Sequence, residues 1–277
     1  MITATATPTS DARRPSGVRD YISPSRLNLW LKCPLAFKLR YVDGIITPTS
    51  PAAFIGKVVH AALEAHYRHR QLGLTLPVDT LLRQLIDRWE ASAAEEGVGF
   101  SSVAAEATCR RQATELVALY ITQLPADEPR PLAVEVTLET PLADPVTGEH
   151  LGIPLLGIMD LVLPHADGPE IVDFKTAARS STTLEIVHEI QLTSYAYLFR
   201  RTTGQHESAL EIRSLIKTKV PKIDTCRFPA RSAAHFRRLF AVIRAYLDDL
   251  DSGKFVFRPG FGCDYCQVRS HCKAWQA

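Results

Sequence analysis

Two aspartates and a lysine in the middle of a 277-residue chain, and four cysteines split between its ends, are the residues with chemistry to offer. Asp160 ends the run GIMD, and Asp173 opens D-F-K with Lys175, on two β-rich segments separated by the turn HADGP. Neighbouring residues of a strand point to opposite faces, so Asp173 and Lys175 share a face while Phe174 turns into the core. A hairpin then sets Asp160 across from Asp173. Hard carboxylate oxygens hold Mg2+ or Mn2+, and a cation beside them suits the attack of water on a phosphodiester. Lys175 would orient that water and steady the pentavalent phosphate, and the Phe174 carbonyl is a further candidate ligand. An isolated D-x-K is most often surface charge, so its surroundings decide its meaning.

Those surroundings supply more. His60 lies in GKVVHAALE, within an apolar-periodic segment, and Gln191 and Tyr195 lie four apart in EIQLTSYAY, on one face of an expected helix. Glu64 follows His60 by one turn and Glu135 sits on the first expected strand; both rank as outer support at best.

The second set of candidates is C-x2-C-x5-C near the C-terminus, formed by Cys263, Cys266 and Cys272. Three thiolates leave one ligand to find, and Cys33, beside Pro34, is the natural fourth. Four cysteines, or three with His271, also suit tetrahedral zinc, and spacing alone does not separate a structural Zn2+ from an iron–sulfur cluster. Cys109 and Cys226 have no partner at useful spacing and read as idle or buried thiols.

The elements that must position these residues read as α+β. Ser23 caps a helix with Pro24 at its first position, and Leu27, Trp30 and Leu31 give its stripe. Residues 51–125 are helical, in three segments with apolar residues at threes and fours. The texture then alternates, through AVEVTLETPL, IPLLGIMDLVLP and EIVDFKT, as an antiparallel meander. LEIVHEIQLTSYAYLFRRT reads as one helix, SALEIRSLIKT as a strand, and SAAHFRRLFAVIRAYLDDLDSG as a helix closed by Gly253.

In this order the residues resemble the PD-(D/E)XK nuclease superfamily, in its RecB-like branch, which includes the AddB nuclease domain and CRISPR-associated RecB-like exonucleases. The resemblance covers most of the ordered chain. It implies a restriction-endonuclease-like core, a central mixed sheet flanked by helices, with a helical insertion and a terminal region stapled by a 4Fe-4S cluster on Cys33, Cys263, Cys266 and Cys272. It makes His60, Asp160 and Asp173 metal ligands, Lys175 the catalytic lysine, and Gln191 with Tyr195 the family's Q-x-x-x-Y. Asp173 stands where other branches often carry Glu. The implied activity is exonucleolytic hydrolysis of single-stranded DNA or DNA ends. Implied partners are a helicase, recombination proteins or CRISPR adaptation proteins; the competing reading is a zinc-stapled DNA-binding module without catalysis.

Composition bounds these readings. The chain is 46% hydrophobic with a formal charge of +2, enough for a core and too neutral for a global field to choose an anionic partner. No apolar run is long enough for a membrane span or shaped like a leader, so the cytoplasm is expected. Residues 1–20 read as a disordered tail and 21–277 as one nuclease domain, with its core at 130–227 and its cysteine module at 259–277 together with Cys33. Between Lys175 and Arg227, Arg179, Arg200, Arg201, Arg213, Lys217, Lys219 and Lys222 form a candidate phosphate-facing surface. Trp30, Tyr195 and Tyr197 are candidates for stacking on bases, against the more frequent role of aromatics as core.

Overall fold

The computed structural model describes residues 17–275. The expected N-terminal tail lies, up to residue 16, outside them; residues 17–20 form a turn closed by the Gly17 N–H donating to Asp20 Oδ2 at 2.6 Å.

Helix α1 (Pro24–Lys32) begins as its sequence dictates, with the Ser23 hydroxyl accepting from the Arg26 N–H and Pro24 at the first helical position. It ends at Cys33, whose extended backbone leads into the short α2 (Pro34–Phe37) and a π-helical turn, Lys38–Val42. Three helices follow, α3 (Pro51–Gln71), α4 (Val78–Glu95) and α5 (Val103–Gln123), matching the expected helical region. Strands β1 (Ala133–Ala143), β2 (His150–Leu163) and β3 (Glu170–Ala177) make the antiparallel meander.

The segment expected as one long helix is broken. His188 leaves the helical region, at φ −106° and ψ 8°, between α6 (Leu184–Val187) and α7 (Glu189–Thr203). After β4 (Ala209–Ile216) comes a strand the sequence reading missed, β5 (Lys222–Pro229). Its residues alternate between half-buried and exposed with no fully buried position, the pattern of an edge strand, so no apolar stripe announced it. Helix α8 (Ala233–Ser252) closes at Gly253, whose φ of 67° is open to glycine at little cost. A 3-10 turn (Phe261–Tyr265) and α9 (Arg269–Ala274) complete the described chain.

The five strands form one mixed sheet in sequence order, with β3 and β4 parallel and every other pair antiparallel. One face packs on α3, α4 and α5 through Phe54, Leu63, Tyr67, Trp89, Leu161 and Phe174. The other packs on α1, α7 and α8 through Leu27, Trp30, Met159, Leu198, Phe240 and Ile243. Trp30, Tyr195 and Tyr197 all belong to this second core, and none is free to stack on a base.

The two faces exchange residues at one point. Val136 and Met159 belong to the α7-side core, but Val134 and Leu161, two positions along the same strands, belong to the α3-side core. Regular strands keep i and i+2 on one face. The register brackets the place: Val134 pairs with Leu161 and Val136 with Met159, which sets Glu135 opposite Asp160. Glu135 carries the inversion, with a φ of 44° that non-glycine residues seldom adopt.

Candidate active site

Each acid of the site comes from a different strand. Glu135 and Asp160 face each other across the switch point, and the β2–β3 register, with Leu161 against Val172, carries Asp173 alongside Asp160. Asp160 Oδ2 accepts the Phe174 backbone N–H at 2.7 Å, which fixes that carboxylate across the strand pair. His60 enters from α3, its Nδ1 3.7 Å from Asp160 Oδ2. Gly56, one turn earlier on the same helix face, permits the approach, since a Cβ there would meet Thr176 Oγ1 at 3.1 Å. Gly157 does the same on the opposite layer, where a Cβ would meet Leu198 Cδ1 of α7 at 2.6 Å.

Helix α7 then delivers Gln191, whose Nε2 donates to Asp173 Oδ1 at 2.9 Å and to the Tyr195 hydroxyl at 2.8 Å. The other oxygen of Asp173 lies 2.5 Å from Lys175 Nζ. Asp173 is 1% exposed and Asp160 8%, so these charges sit where water screens them poorly.

Electrostatics follow from the crowding. Burial, then Asp173 and Glu135, drive the Asp160 carboxyl well above the carboxylate range. Burial, then Glu64, push Glu135 up to about 7. Burial and the Lys175 ammonium lower His60, leaving its ring neutral with a lone pair to offer a cation. Carboxylates this close, half-satisfied by protons, are what a divalent cation would relieve.

The ligand atoms in closest reach are those of His60, Glu135 and Asp160, all within 4.8 Å of one another. Asp173, expected as a ligand, is not one of that trio and is engaged by Gln191 and Lys175, while the Phe174 backbone hydrogen-bonds with the His60 ring and so lies beside it. Glu135, ranked as outer support, is central. Glu64 stands behind it in an ion pair with Arg68 at 2.7 Å. His188, absent from the sequence reading, hydrogen-bonds with Gln191, and burial and Lys175 lower its pKa. Nothing in its local sequence distinguishes it.

Part of the basic run after Lys175 is paired inside the fold. Arg200 is bidentate to the buried Glu207 and Arg213 is paired with Glu128 and Glu211, while the exposed Lys222 lies 3.1 Å from Asp224. Arg200 and Arg213 are thus committed to internal acids.

At the other end of α3, Cys33, Cys263, Cys266 and Cys272 line one cavity, while His271 is not among its lining residues. Cys33, Cys266 and Cys272 pack on Leu35, Ala36, Leu39 and Val268, and Cys33 Sγ accepts the Arg258 N–H at 3.4 Å. Burial and the other three thiols raise Cys272. Cys109 and Cys226 stand apart, half-buried.

A mixed sheet between helical layers, with strand acids and a lysine gathered where the layers meet, defines a restriction-endonuclease-like fold carrying a phosphodiesterase-type site. The sequence profile of the PD-(D/E)XK nuclease superfamily matches residues 21–273, and the chain belongs to that superfamily. Among solved structures it is similar to a protein of Eubacterium rectale described as a "Putative exonuclease", with a TM-score of 0.56 and 14% identity over 94% of this chain and 90% of that one. It is also similar to the protein SSO0001, with a TM-score of 0.45 and 13% identity over 95% of this chain and 90% of that one. A sequence comparison with curated proteins found no match. Among the described residues no helix is long and apolar enough to cross a membrane.

Proposed function

We propose that this nuclease is a DNA exonuclease of the RecB-like branch, hydrolysing single strands or strand ends with Mg2+ or Mn2+. The observation that carries the reading is the convergence of His60, Glu135 and Asp160 within 4.8 Å beside the Asp173–Lys175 pair. The donor set, one neutral imidazole and hard carboxylates, fits either ion. A divalent ion there would acidify water and offset charge on the scissile phosphate.

The chain's own residues do the rest. Lys175 presents its ammonium to the phosphate and to the entering water, and Asp173 holds that ammonium in place. Gln191, anchored on Tyr195, fixes the rotamer of Asp173, so the tyrosine acts through two hydrogen bonds rather than on the substrate. The Phe174 N–H orients Asp160.

The four cysteines are assigned to a 4Fe-4S cluster that ties α1 to the C-terminal segment. Their convergence on one cavity supports a shared ligand. Tetrahedral zinc, with bonds of about 2.3 Å to sulfur, is the competing occupant of such a set. Visible absorbance of anaerobically purified protein decides between them, and a colourless protein with stoichiometric zinc rejects the cluster.

The nuclease reading is tested on end-labelled and circular single strands with Mg2+ or Mn2+. Linear strands are shortened from an end and circles survive. Asp173→Ala and Lys175→Ala each lower the rate by about 1000-fold or more, since Lys175 presents the charge to the reacting phosphate and Asp173 holds that charge in place. Full activity in either variant rejects the site, and rapid cleavage of circles rejects the exonuclease.

A further inference from the structure

The cysteine cavity carries a surface that the metal site does not use. Phe261 is 97% exposed and Tyr265 88%, four residues apart on the 3-10 turn, with Phe257 53% exposed nearby. Soluble proteins bury rings of this size unless something covers them. Around them the cavity is lined by Lys32, Arg40, Arg258 and Arg269, all exposed; Arg269 lies 3.8 Å from Asp264, the acid of the same turn, and the other three leave the rim with an excess of positive charge. Flat π-faces among cations fit an occupant that has both flat faces and regularly spaced negative charge.

The cavity reaches the start of the helix that carries part of the metal site. Ser50, Pro51 and Ala52, at the start of α3, line the same cavity, and His60 follows on that helix. Nine residues at about 1.5 Å each separate Pro51 from His60 by about 14 Å. That is about four nucleotides at a stacked spacing of about 3.4 Å, and fewer if the strand is stretched. Lys217, whose Nζ donates to the Ala52 carbonyl at 3.1 Å, adds a cation at the start of this path.

We propose that Phe261 and Tyr265, with the basic rim of the cysteine cavity, form a stacking platform for single-stranded nucleic acid, holding the flank of the strand whose scissile bond lies at His60, Glu135 and Asp160. This rests on the nuclease reading for what happens at the metal site, but not for the binding itself. Stacking is indifferent to base identity, so the platform grips without reading sequence.

The test is fluorescence anisotropy of a labelled oligothymidylate about twelve nucleotides long, with no divalent ion added, on the full chain. Each stacked base contributes about 1 to 3 kcal/mol. Phe261→Ala with Tyr265→Ala is therefore expected to weaken binding by about 30-fold or more, Phe261→Tyr with Tyr265→Trp to retain it, and Val103→Ala, an exposed apolar residue elsewhere, to leave it unchanged. Thermal melting and visible absorbance of the double Ala variant should match the parent. Wild-type affinity in that variant overturns the proposal, and so does equal loss for a blunt duplex, whose bases are not free to stack. Loss of self-association with unchanged affinity assigns the rings to a protein contact and overturns it as well. Failure of the parent chain to cleave any strand, with ring-dependent binding intact, rejects the nuclease reading alone.

Discussion

Replacing Asp160 with asparagine should make the metal-free protein more stable while destroying its response to metal. Asn keeps the shape and an oxygen to accept the Phe174 N–H, now 2.7 Å from Asp160 Oδ2, and removes only the charge. That charge stands among others: ligand oxygens of Glu135 and Asp160 lie within 4.8 Å. At that distance, and an effective dielectric constant of about 20, two full charges repel by about 3.5 kcal/mol. The protein avoids part of this by keeping protons, so the net gain on Asp160→Asn at pH 8 is about 2 kcal/mol. For a chain of this size that is about 4 to 8 °C in Tm.

The sign depends on pH. Asp160 has a folded pKa raised well above its unfolded value, so its acid form is favoured by folding. The stability it contributes is present at low pH and is lost as pH rises through the range between the two values. The variant's advantage must therefore widen from pH 5 to pH 8. With metal at a hundred times its Kd, the parent should gain about 2.7 kcal/mol and the variant much less. Scanning calorimetry at both pH values, with chelator and with Mn2+, gives all four numbers. An Asn variant that melts below the parent in chelator at pH 8, or that keeps the full Mn2+ increment, would refute the crowding of acids as the basis of the site.

Three further outcomes are expected. Gly157→Val pushes α7 off the sheet at Leu198, so activity should fall about 100-fold through the displaced Gln191, for about 1 to 3 kcal/mol of stability; parental activity and Tm together would contradict it. Mn2+ affinity, read by calorimetry, should weaken by at least about tenfold per pH unit below about 7, because Glu135, raised by burial to about 7, and Asp160, raised likewise, must lose their protons to bind; a Glu135→Gln variant with the parent's full slope would assign the proton elsewhere. Arg213→Ala leaves the buried Glu128 with only Arg70, at 3.4 Å, and the Tyr67 hydroxyl, and should cost about 3 kcal/mol, partly recovered by adding Glu128→Gln; additive losses in denaturant melts would show that the two do not interact.

The sequence made the helices and the meander legible because each has one apolar face and a clear cap: Ser23 and Pro24 start α1, and Gly253 ends α8. Asp173, Lys175, Gln191 and Tyr195 were legible for the same reason, since strand and helix periods put them on shared faces. Glu135 was not. V-E-V-T-L reads as regular alternation, with Val134, Val136 and Leu138 on one face, but a single residue at φ 44° sends Val134 to the other core. No local rule places a left-handed kink at a glutamate; the packing of two helical layers against one sheet does. Similarly, Arg213 reads as surface charge because sequence shows charges and not their partners, and Glu128, which holds it, lies 85 residues away.

Where the ends of the chain meet sets an order of events at synthesis. Ile22 hydrogen-bonds to Pro154 and Leu156 of β2, Trp30 Nε1 donates to Asp249 Oδ2 at 2.8 Å, and Cys33 lines its cavity with three cysteines from the last segment. Helix α1 thus has nothing to cover its apolar stripe until β2, α7 and α8 have been made. The residues from His60 to Tyr195 are all translated before that closure. A chain stalled or truncated near Gly253 would carry every acid of the site and the apolar partners of α1, yet lack Cys263, Cys266 and Cys272, which Cys33 meets in its cavity.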